Sequence, residues 1–555
     1  MRNMSFKPYC IAALLLLSGC QKNSMKNITI DPKQLPTRAE QFCTLDQVDV
    51  LIIGGGATGA GVALDAISRG LSVLLVEKND FGSQTSSRST KLVHGGVRYL
   101  EKAVRDKDPK QYHLVRESLH ERGTLMHIAP YAVHPIKIIT PIYKTRQIPY
   151  IWTGLKVYDL ISGKGRIARS QFVSSDFVKK TFSHINPDNL KGGVIYHDAQ
   201  FNDTRLNITL ILSAMNLGAS ALNYTEAVRL IKEEGKIVGV EIHDRIGGGN
   251  YCVKSGVVIN ATGPFADTIR WMDDPTTHAM MCPSAGTHIL LDKKYTAKDT
   301  GILIPRTADG RVIFMLPWEG GTIAGTTDHA SILTETPHCT EEELTYLLET
   351  ISTYFDQPIT KNDVKAVWTG LRPLVQDSIV TNTSKLCRDH LVLVSSSGLV
   401  SIMGGKWTTY RKMAEDTINI ACPNTKNCIT DHLLLLGAKG YTENTSSDLA
   451  KTTRLPPDIC DHLVNAYGML AFEVVKVGSC ERLVENYPII EAEVIWAMKH
   501  EYAETIVDVL ARRTRLAFLD AKEARRAVER VAQLMGKQEQ VPVALEELRL
   551  MHLVL

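Results

Sequence analysis

Between a β-branched run, Val48 to Ile53, and a helical pattern, Ala57 to Arg69, lies Gly54-Gly55-Gly56-Ala57-Thr58-Gly59, a GxGxxG spacing in the strand–turn–helix context that gives it meaning. Gly54 permits a tight turn, Gly56 lets the backbone approach a pyrophosphate, and Gly59 allows the helix to pack closely on the sheet. The helix N-terminus that follows presents N–H groups and the positive end of a dipole to phosphate. Glu77 closes the next apolar run, Leu71 to Glu77, where a carboxylate accepts hydrogen bonds from an adenosine ribose. These residues together describe a site for a dinucleotide, and the spacing does not by itself separate FAD from NAD.

The segment downstream separates them. Thr85-Ser86-Ser87-Arg88-Ser89-Thr90-Lys91-Leu92-Val93-His94-Gly95-Gly96-Val97-Arg98-Tyr99-Leu100 is a hydroxyl-rich loop that runs into paired glycines. Such a loop suits a backbone laid against a flat ring, with hydroxyls directed at a pyrophosphate and a ribityl chain. This segment resembles the signature of the FAD-dependent glycerol-3-phosphate dehydrogenases, and is most similar to the mitochondrial type. Val258-Ile259-Asn260-Ala261-Thr262-Gly263-Pro264-Phe265, Gly370-Leu371-Arg372-Pro373-Leu374 and Gly404-Gly405-Lys406-Trp407-Thr408-Thr409-Tyr410-Arg411 resemble three further motifs of that family, in the same order. The resemblance runs from about Asp49 to Met535 and includes Arg512-Arg513-Thr514-Arg515.

The resemblance implies FAD as cofactor, sn-glycerol 3-phosphate as substrate, dihydroxyacetone phosphate as product and a membrane quinone as electron acceptor. It assigns Ser86, Ser87, Gly95, Gly96, Thr262, Gly263, Gly405 and Thr408 to the cofactor, beside Gly54, Gly56, Gly59 and Glu77. Arg98 and Tyr99 are expected to line the substrate pocket, Arg372 and Arg388 to grip the phosphate, and Lys406 to add charge at the flavin edge. The chemistry asks for such groups: hydride leaves C2 only when that carbon lies over the flavin and a base takes the hydroxyl proton, while guanidinium holds phosphate bidentately. His94 is read as that base, a task that Lys406 or a water could also perform. The plainer readings are a hydrogen-bonded structural histidine and solvated ion pairs for the arginines. Within the same class, an oxidase that passes electrons to oxygen is the second reading. A non-catalytic flavoprotein would be expected to have lost the cations, and an amino-acid oxidase gains nothing from them.

The elements that must position these residues are those of an α/β chain. The expected architecture is an FAD-binding, doubly wound, Rossmann-like domain with a mixed-sheet substrate domain, together spanning residues 48–430, and an all-helical C-terminal domain over 431–555. Strands are expected at Val257 to Asn260, Thr287 to Leu291, Val312 to Leu316, Thr322 to Gly325 and His390 to Ser395, and none beyond about Asp431. Helical periodicity runs through Ile489 to Leu510 and Ala521 to Met535. Gln147 to Leu160, rich in aromatics and poor in charge, is read first as a core-packed helix and second as a lipid-interface or quinone-entry element. Arg512 to Arg515 is read as a folded surface with modest lipid affinity.

A length of 555 residues calls for at least two domains, and 44% hydrophobic with 22% charged residues is ordinary globular composition. A net charge of +3 gives no case for nucleic acid. The 11 cysteines include no CxxC pair and no zinc spacing with histidine, so neither a metal site nor a disulfide framework is expected. No EF-hand loop is present, and direct calcium control is not expected. At the amino end, residues 1–47 read as a leader and linker. Arg2, Lys7 and the apolar run Ile11 to Leu17 admit three readings: a lipoprotein signal ending at Cys20, a mitochondrial targeting segment, or an extension before a start at Met25. The first two place the chain at a respiratory membrane with a lipid surface as partner; a homodimer is among the assemblies the sequence allows.

Overall fold

A computed structural model describes residues 27–97, 99–101, 108–305, 307, 312–376 and 389–552. The apolar leader run, Cys20, Met25, Arg98 and Arg388 lie outside these residues.

The run Gln47–Ile53 forms a strand whose last four residues are fully enclosed, and Val73–Val76 pairs with it in parallel through the helix Ala57–Ser68. On the other flank the long strand Asn250–Asn260 also runs parallel to it, with Ile53 opposite Asn260. The chain thus leaves Gln47–Ile53 toward one side of the sheet and returns on the other, which opens a crevice at the carboxyl ends of the central strands. Val400–Gly404 extends this sheet in parallel beside Asn250–Asn260, and His390–Val394 closes it as an antiparallel edge. Ser220–Leu222 adds to the opposite flank. Helices Asp203–Leu217 and Tyr410–Ala421 cover one face together with Ala57–Ser68, burying Val62, Leu64, Ile211, Tyr410 and Ile418.

A second, mixed sheet carries Val133–Ile142, Gly192–Phe201, Ser284–Asp292, Thr300–Ile304, Ile313–Trp318, Gly321–Gly325 and Val364–Arg372. Val364–Arg372 pairs antiparallel with Ser284–Asp292, bringing Arg372 opposite Ser284. The helical region follows, with Thr445–Thr453, Pro457–Tyr467, Glu491–His500, Ala521–Met535 and Val541–Met551. Its apolar faces meet the second sheet at Leu290, Trp318 and Trp368.

Four expectations are corrected. Strands do not stop at Asp431: Leu433–Leu434 pairs in parallel with Ile28–Thr29. The residues read as a linker contain a helix, Arg38–Cys43, closed by a Thr37/Glu40 capping box, and Arg38 forms an ion pair with Asp244 at 2.6 Å. Gln147–Ile161 is helical, but only Leu155, Tyr158 and Asp159 are buried, while Tyr150, Trp152 and Leu160 are exposed. A helix with one narrow buried stripe is docked on the core rather than packed within it. Arg512 to Arg515 is not a surface: Arg513 and Arg515 are each 1% exposed, because carboxylates from distant parts of the chain meet them inside.

Candidate active site

The crevice between the two sheets holds a cavity of about 1850 Å³. At one end stand Gly54, Gly56, Ala57 and Thr58, and beside them Glu77, Thr262 and Gly263. Gly54 sits at φ 111°, and a β-carbon there would meet the Ala261 carbonyl oxygen at 2.6 Å. Only glycine lets the two strand ends come this close. Glu77 accepts hydrogen bonds from the Gly55 N–H at 2.7 Å and the Asn79 N–H at 2.9 Å. Burial pushes its carboxyl above the ordinary range against those two bonds.

The hydroxyl-rich loop crosses the cavity wall. Ser86 Oγ accepts the Ala57 N–H at 2.9 Å, so the first N–H of the helix is already capped by the loop. The Ser86 carbonyl accepts a hydrogen bond from Trp407 Nε1 at 2.9 Å, which ties the loop to the Gly404–Gly405 turn. His94, Gly96, Tyr99, Gly405, Lys406 and Thr408 also face the cavity. The His94 N–H donates to Thr408 Oγ1 at 3.3 Å, and Lys406 Nζ lies 4.1 Å from the centre of the Tyr99 ring, a cation–π contact.

Gly59, Ser87 and Gly95 are not on the wall; they hold it from behind. A β-carbon on Gly59 would stand 1.9 Å from the Gly54 carbonyl oxygen. The Gly95 N–H donates to the Tyr158 hydroxyl at 2.8 Å, which donates in turn to Asp198 at 2.8 Å, and Asp198 is paired with Arg122 at 2.5 Å. Ser87 is buried and offers its carbonyl to Lys91 and Arg515.

Arg372 reaches the cavity from the end of its strand. Its Nη1 donates to the Ala285 carbonyl at 3.1 Å and to Asp328 at 3.0 Å, and its Nη2 to the Thr327 carbonyl at 2.9 Å and Thr326 Oγ1 at 3.1 Å. The guanidinium is therefore fixed in place by protein acceptors. Arg388, expected as its companion in the phosphate grip, and Arg98, expected to line the substrate pocket, lie outside the described residues.

His288 escaped the reading of the sequence. It lies on the cavity wall with Nε2 2.9 Å from Thr90 Oγ1 and its ring stacked on Trp368 at 5.6 Å. Burial, with Lys91 and Arg372 nearby, pushes its pKa well below the ordinary histidine value and keeps the imidazole neutral. A lone histidine inside the apolar alternation Thr287 to Leu291 reads as core; only the pairing of its strand with that of Arg372 shows that it faces a site.

With this geometry in view, the model of the FAD-dependent oxidoreductase family matches residues 49–411. The chain belongs to that family. Residues 428–541 match the C-terminal domain of α-glycerophosphate oxidase. The probable mitochondrial glycerol-3-phosphate dehydrogenase of Caenorhabditis elegans is 45% identical over 528 residues, covering 91% of this chain and 73% of that one. The mitochondrial glycerol-3-phosphate dehydrogenase of Homo sapiens is 44% identical over 531 residues, again with 91% and 73% covered. A crystal structure of the glycerol-3-phosphate dehydrogenase from Bacillus halodurans with FAD superposes with a TM-score of 0.72 at 30% identity, over 91% of this chain and 95% of that one. Within the FAD-dependent oxidoreductases, the chain is thus a member of the glycerol-3-phosphate dehydrogenase group.

FAD is the cofactor of this family, and the crevice fits it. The close approach of Gly54 to Ala261 leaves an open cradle of backbone beside the helix N-terminus for a pyrophosphate, and Glu77 stands where an adenosine ribose would lie. The cavity exceeds the roughly 300–1,000 Å³ of an ordinary small-molecule pocket. It has space for a dinucleotide and a smaller second molecule.

Proposed function

We propose that this family member oxidises sn-glycerol 3-phosphate at C2 to dihydroxyacetone phosphate and passes the electrons to a membrane quinone. The observation that carries the reading is the set of cations, Arg372 and Lys406, on the wall of one cavity that begins at a dinucleotide cradle. When bound, FAD supplies the acceptor for the C2 hydride. The protein's own groups do the rest. Gly54, Gly56, Glu77, Ser86, Thr262, Gly263 and Gly405 hold the cofactor, with Gly59, Ser87 and Gly95 shaping the backbone behind them. Arg372, held in place by the Ala285 and Thr327 carbonyls, Thr326 and the Asp328 carboxylate, is directed at the substrate phosphate with Arg388 as its proposed companion in that grip, and Arg98 is proposed to line the substrate pocket. Tyr99 and Lys406, stacked on one another, line the same cavity, and Thr408 aligns the His94 backbone.

The hydroxyl proton goes to His94. A base works best with a pKa near the working pH, and His288, held neutral far below its ordinary value, is a poor one. His288 serves instead as a neutral hydrogen-bonding group beside the phosphate grip.

A quinone is favoured over oxygen by the helix Gln147–Ile161. Tyr150, Ile151 and Leu155 line the cavity while Trp152 and Leu160 face outward, flanked by the exposed basic residues Lys144, Arg146, Arg166 and Arg169. Aromatic and basic residues together suit a lipid headgroup region, where the quinone dissolves. Among the described residues, no helix is long and apolar enough to cross a membrane. In this proposal the chain rests on the membrane through that helix. The test is anaerobic addition of glycerol 3-phosphate to the FAD-loaded protein. Bleaching of oxidised-flavin absorbance, with fast recovery on adding a quinone analogue and slow recovery in air, is expected; a flavin that stays oxidised would refute the substrate, and fast recovery in air with peroxide would move the enzyme to the oxidases.

A further inference from the structure

Arginine is seldom buried, and the cost of desolvating it is met only by well-placed acceptors. The turn Arg512-Arg513-Thr514-Arg515 is nevertheless carried into the interior by a stretch of π-helix, Asp508–Arg513, after which Arg515 takes a left-handed backbone at φ 66°. Its side chains grip two points on one loop. At the first, Arg513 Nη1 and Nη2 donate to the two oxygens of Asp80 at 2.7 and 3.0 Å, and Arg512 Nε adds a bond of 2.6 Å. At the second, Arg515 Nη2 donates to the Ser87 carbonyl at 2.8 Å and to Asp203 at 3.3 Å. Lys91 Nζ meets the same carbonyl at 2.7 Å and the same carboxylate at 2.5 Å. The guanidinium of Arg515 also lies 3.9 Å from the centre of the Phe518 ring.

Between Asp80 and Ser87 run the residues that meet the cofactor cavity, including Ser83, Thr85 and Ser86. Two donors on the Ser87 carbonyl, Lys91 Nζ and Arg515 Nη2, fix the Ser87–Arg88 peptide one residue beyond Ser86, whose hydroxyl caps the helix N-terminus at Ala57.

We propose that the Arg512–Arg515 turn of the helical domain is a positioning device for FAD. It holds the loop from Asp80 to Ser87 in the shape that receives the pyrophosphate and ribityl chain, so that the helical domain completes the cofactor site without touching the cofactor. This rests on the reading of the cavity as the FAD site. Stability alone does not explain the turn. The contact of the helical region with the second sheet already has a large apolar cluster around Trp368 and Phe518, and the helical region is braced internally by a buried pair between two of its own helices, His462–Glu493 at 2.9 Å. Replacing buried ion pairs with apolar side chains is often neutral or stabilising, whereas a fully bonded polar network fixes geometry.

The experiment compares wild type, Arg515→Lys, Arg515→Met and, as a control that removes a buried pair inside the helical region, His462→Gln. FAD is stripped from each, and its dissociation constant, the visible circular dichroism of the reloaded flavin and the melting temperature of the apoprotein are measured. Arg515→Met is expected to weaken FAD binding by about tenfold or more, on the scale of one lost charge-assisted hydrogen bond, and to change the flavin dichroism. Arg515→Lys, which keeps one charged donor, restores part of the affinity. His462→Gln lowers the melting temperature and leaves FAD affinity within about twofold of wild type. If Arg515→Met does not fold, Arg515→Lys and Arg512→Gln, at the more accessible edge of the turn, carry the comparison. Variants of the turn that lose stability but bind FAD like wild type, with unchanged dichroism, would overturn the proposal. A wild type that binds no FAD would overturn the cofactor reading itself, and the proposal with it.

Discussion

The 1.9 Å separating the Gly54 carbonyl oxygen from a β-carbon built on Gly59 leaves no room for any side chain. Both atoms are backbone-bound, so relief requires the helix Ala57–Ser68 to lift from its strand. Overpacking of this kind costs about 1–3 kcal/mol or more, and here it also displaces the N–H groups that face the cofactor. Gly59→Ala is therefore expected to fold with near-normal helix content and to purify with less than about half the flavin of wild type. The ratio of flavin to protein absorbance checks it; full flavin content would show that the helix tolerates the shift. Gly59 was legible in the sequence because a motif's spacing encodes a backbone requirement. That Arg372 and Lys406 meet in one cavity was legible only through resemblance. His288 was not, since nothing local distinguishes a cavity-facing histidine in an apolar strand from a core one. Ser87, expected at the cofactor, lies behind the cavity wall with its carbonyl toward Lys91 and Arg515, a placement the motif does not reveal, because motif membership does not say which face of a turn a residue occupies.

The strands were readable as elements because their alternation and β-branching are local signals, and the parallel pairing of Gln47–Ile53 with Val73–Val76 follows from the helix between them. What each edge strand ties to was not readable. His390–Val394 pairs with Val400–Gly404, placing His390 opposite Gly404 at the start of the Lys406 turn. His390 Nε2 also lies 2.9 Å from Asp416 on the helix Tyr410–Ala421, and Asp389 stands beside Nδ1 at 3.3 Å. Burial pulls the imidazole down, but Asp389 and Asp416 outweigh it and raise its pKa from 6.5 to about 9. Because the folded pKa is the higher one, this histidine's stabilisation is complete below the unfolded value of 6.5 and is lost as pH rises through about 9. Wild type is expected to lose on the order of 2 kcal/mol more than His390→Gln across that window, after allowance for partial exposure. Denaturant unfolding at closely spaced pH values measures it. Parallel curves for the two proteins would mean that the contact between strand and helix is not held by charge.

At the scale of the whole molecule, the contacts that local pattern reading misses are the longest ones. Arg513 meets Asp80 across 433 residues and Arg515 meets Asp203 across 312, so a run that looks like a basic surface is an interior joint between domains. The helix Gln147–Ile161 is the converse case: its aromatics suggested core, yet Trp152 is 41% and Leu160 77% exposed, on a helix whose Tyr150, Ile151 and Leu155 line the cavity. An outward apolar edge with the exposed basic residues Lys144, Arg146, Arg166 and Arg169 just before and after the helix is what an interfacial helix requires, with apolar residues entering the headgroup boundary and cations meeting anionic lipid. Neither Trp152 nor Leu160 lines the cavity. The double change Trp152→Ser, Leu160→Ser is accordingly expected to weaken binding to vesicles containing anionic lipid by about ten- to hundredfold, from the loss of two partly inserted apolar side chains. Substrate-driven flavin bleaching in solution should match wild type, while turnover with vesicle-embedded quinone falls in step with binding. Sedimentation with vesicles at low and high salt separates the two contributions, because screening weakens the cationic contacts and leaves the apolar insertion. Undiminished vesicle binding by the double variant would place the membrane contact elsewhere on the molecule and remove the structural reason for preferring quinone to oxygen as the acceptor.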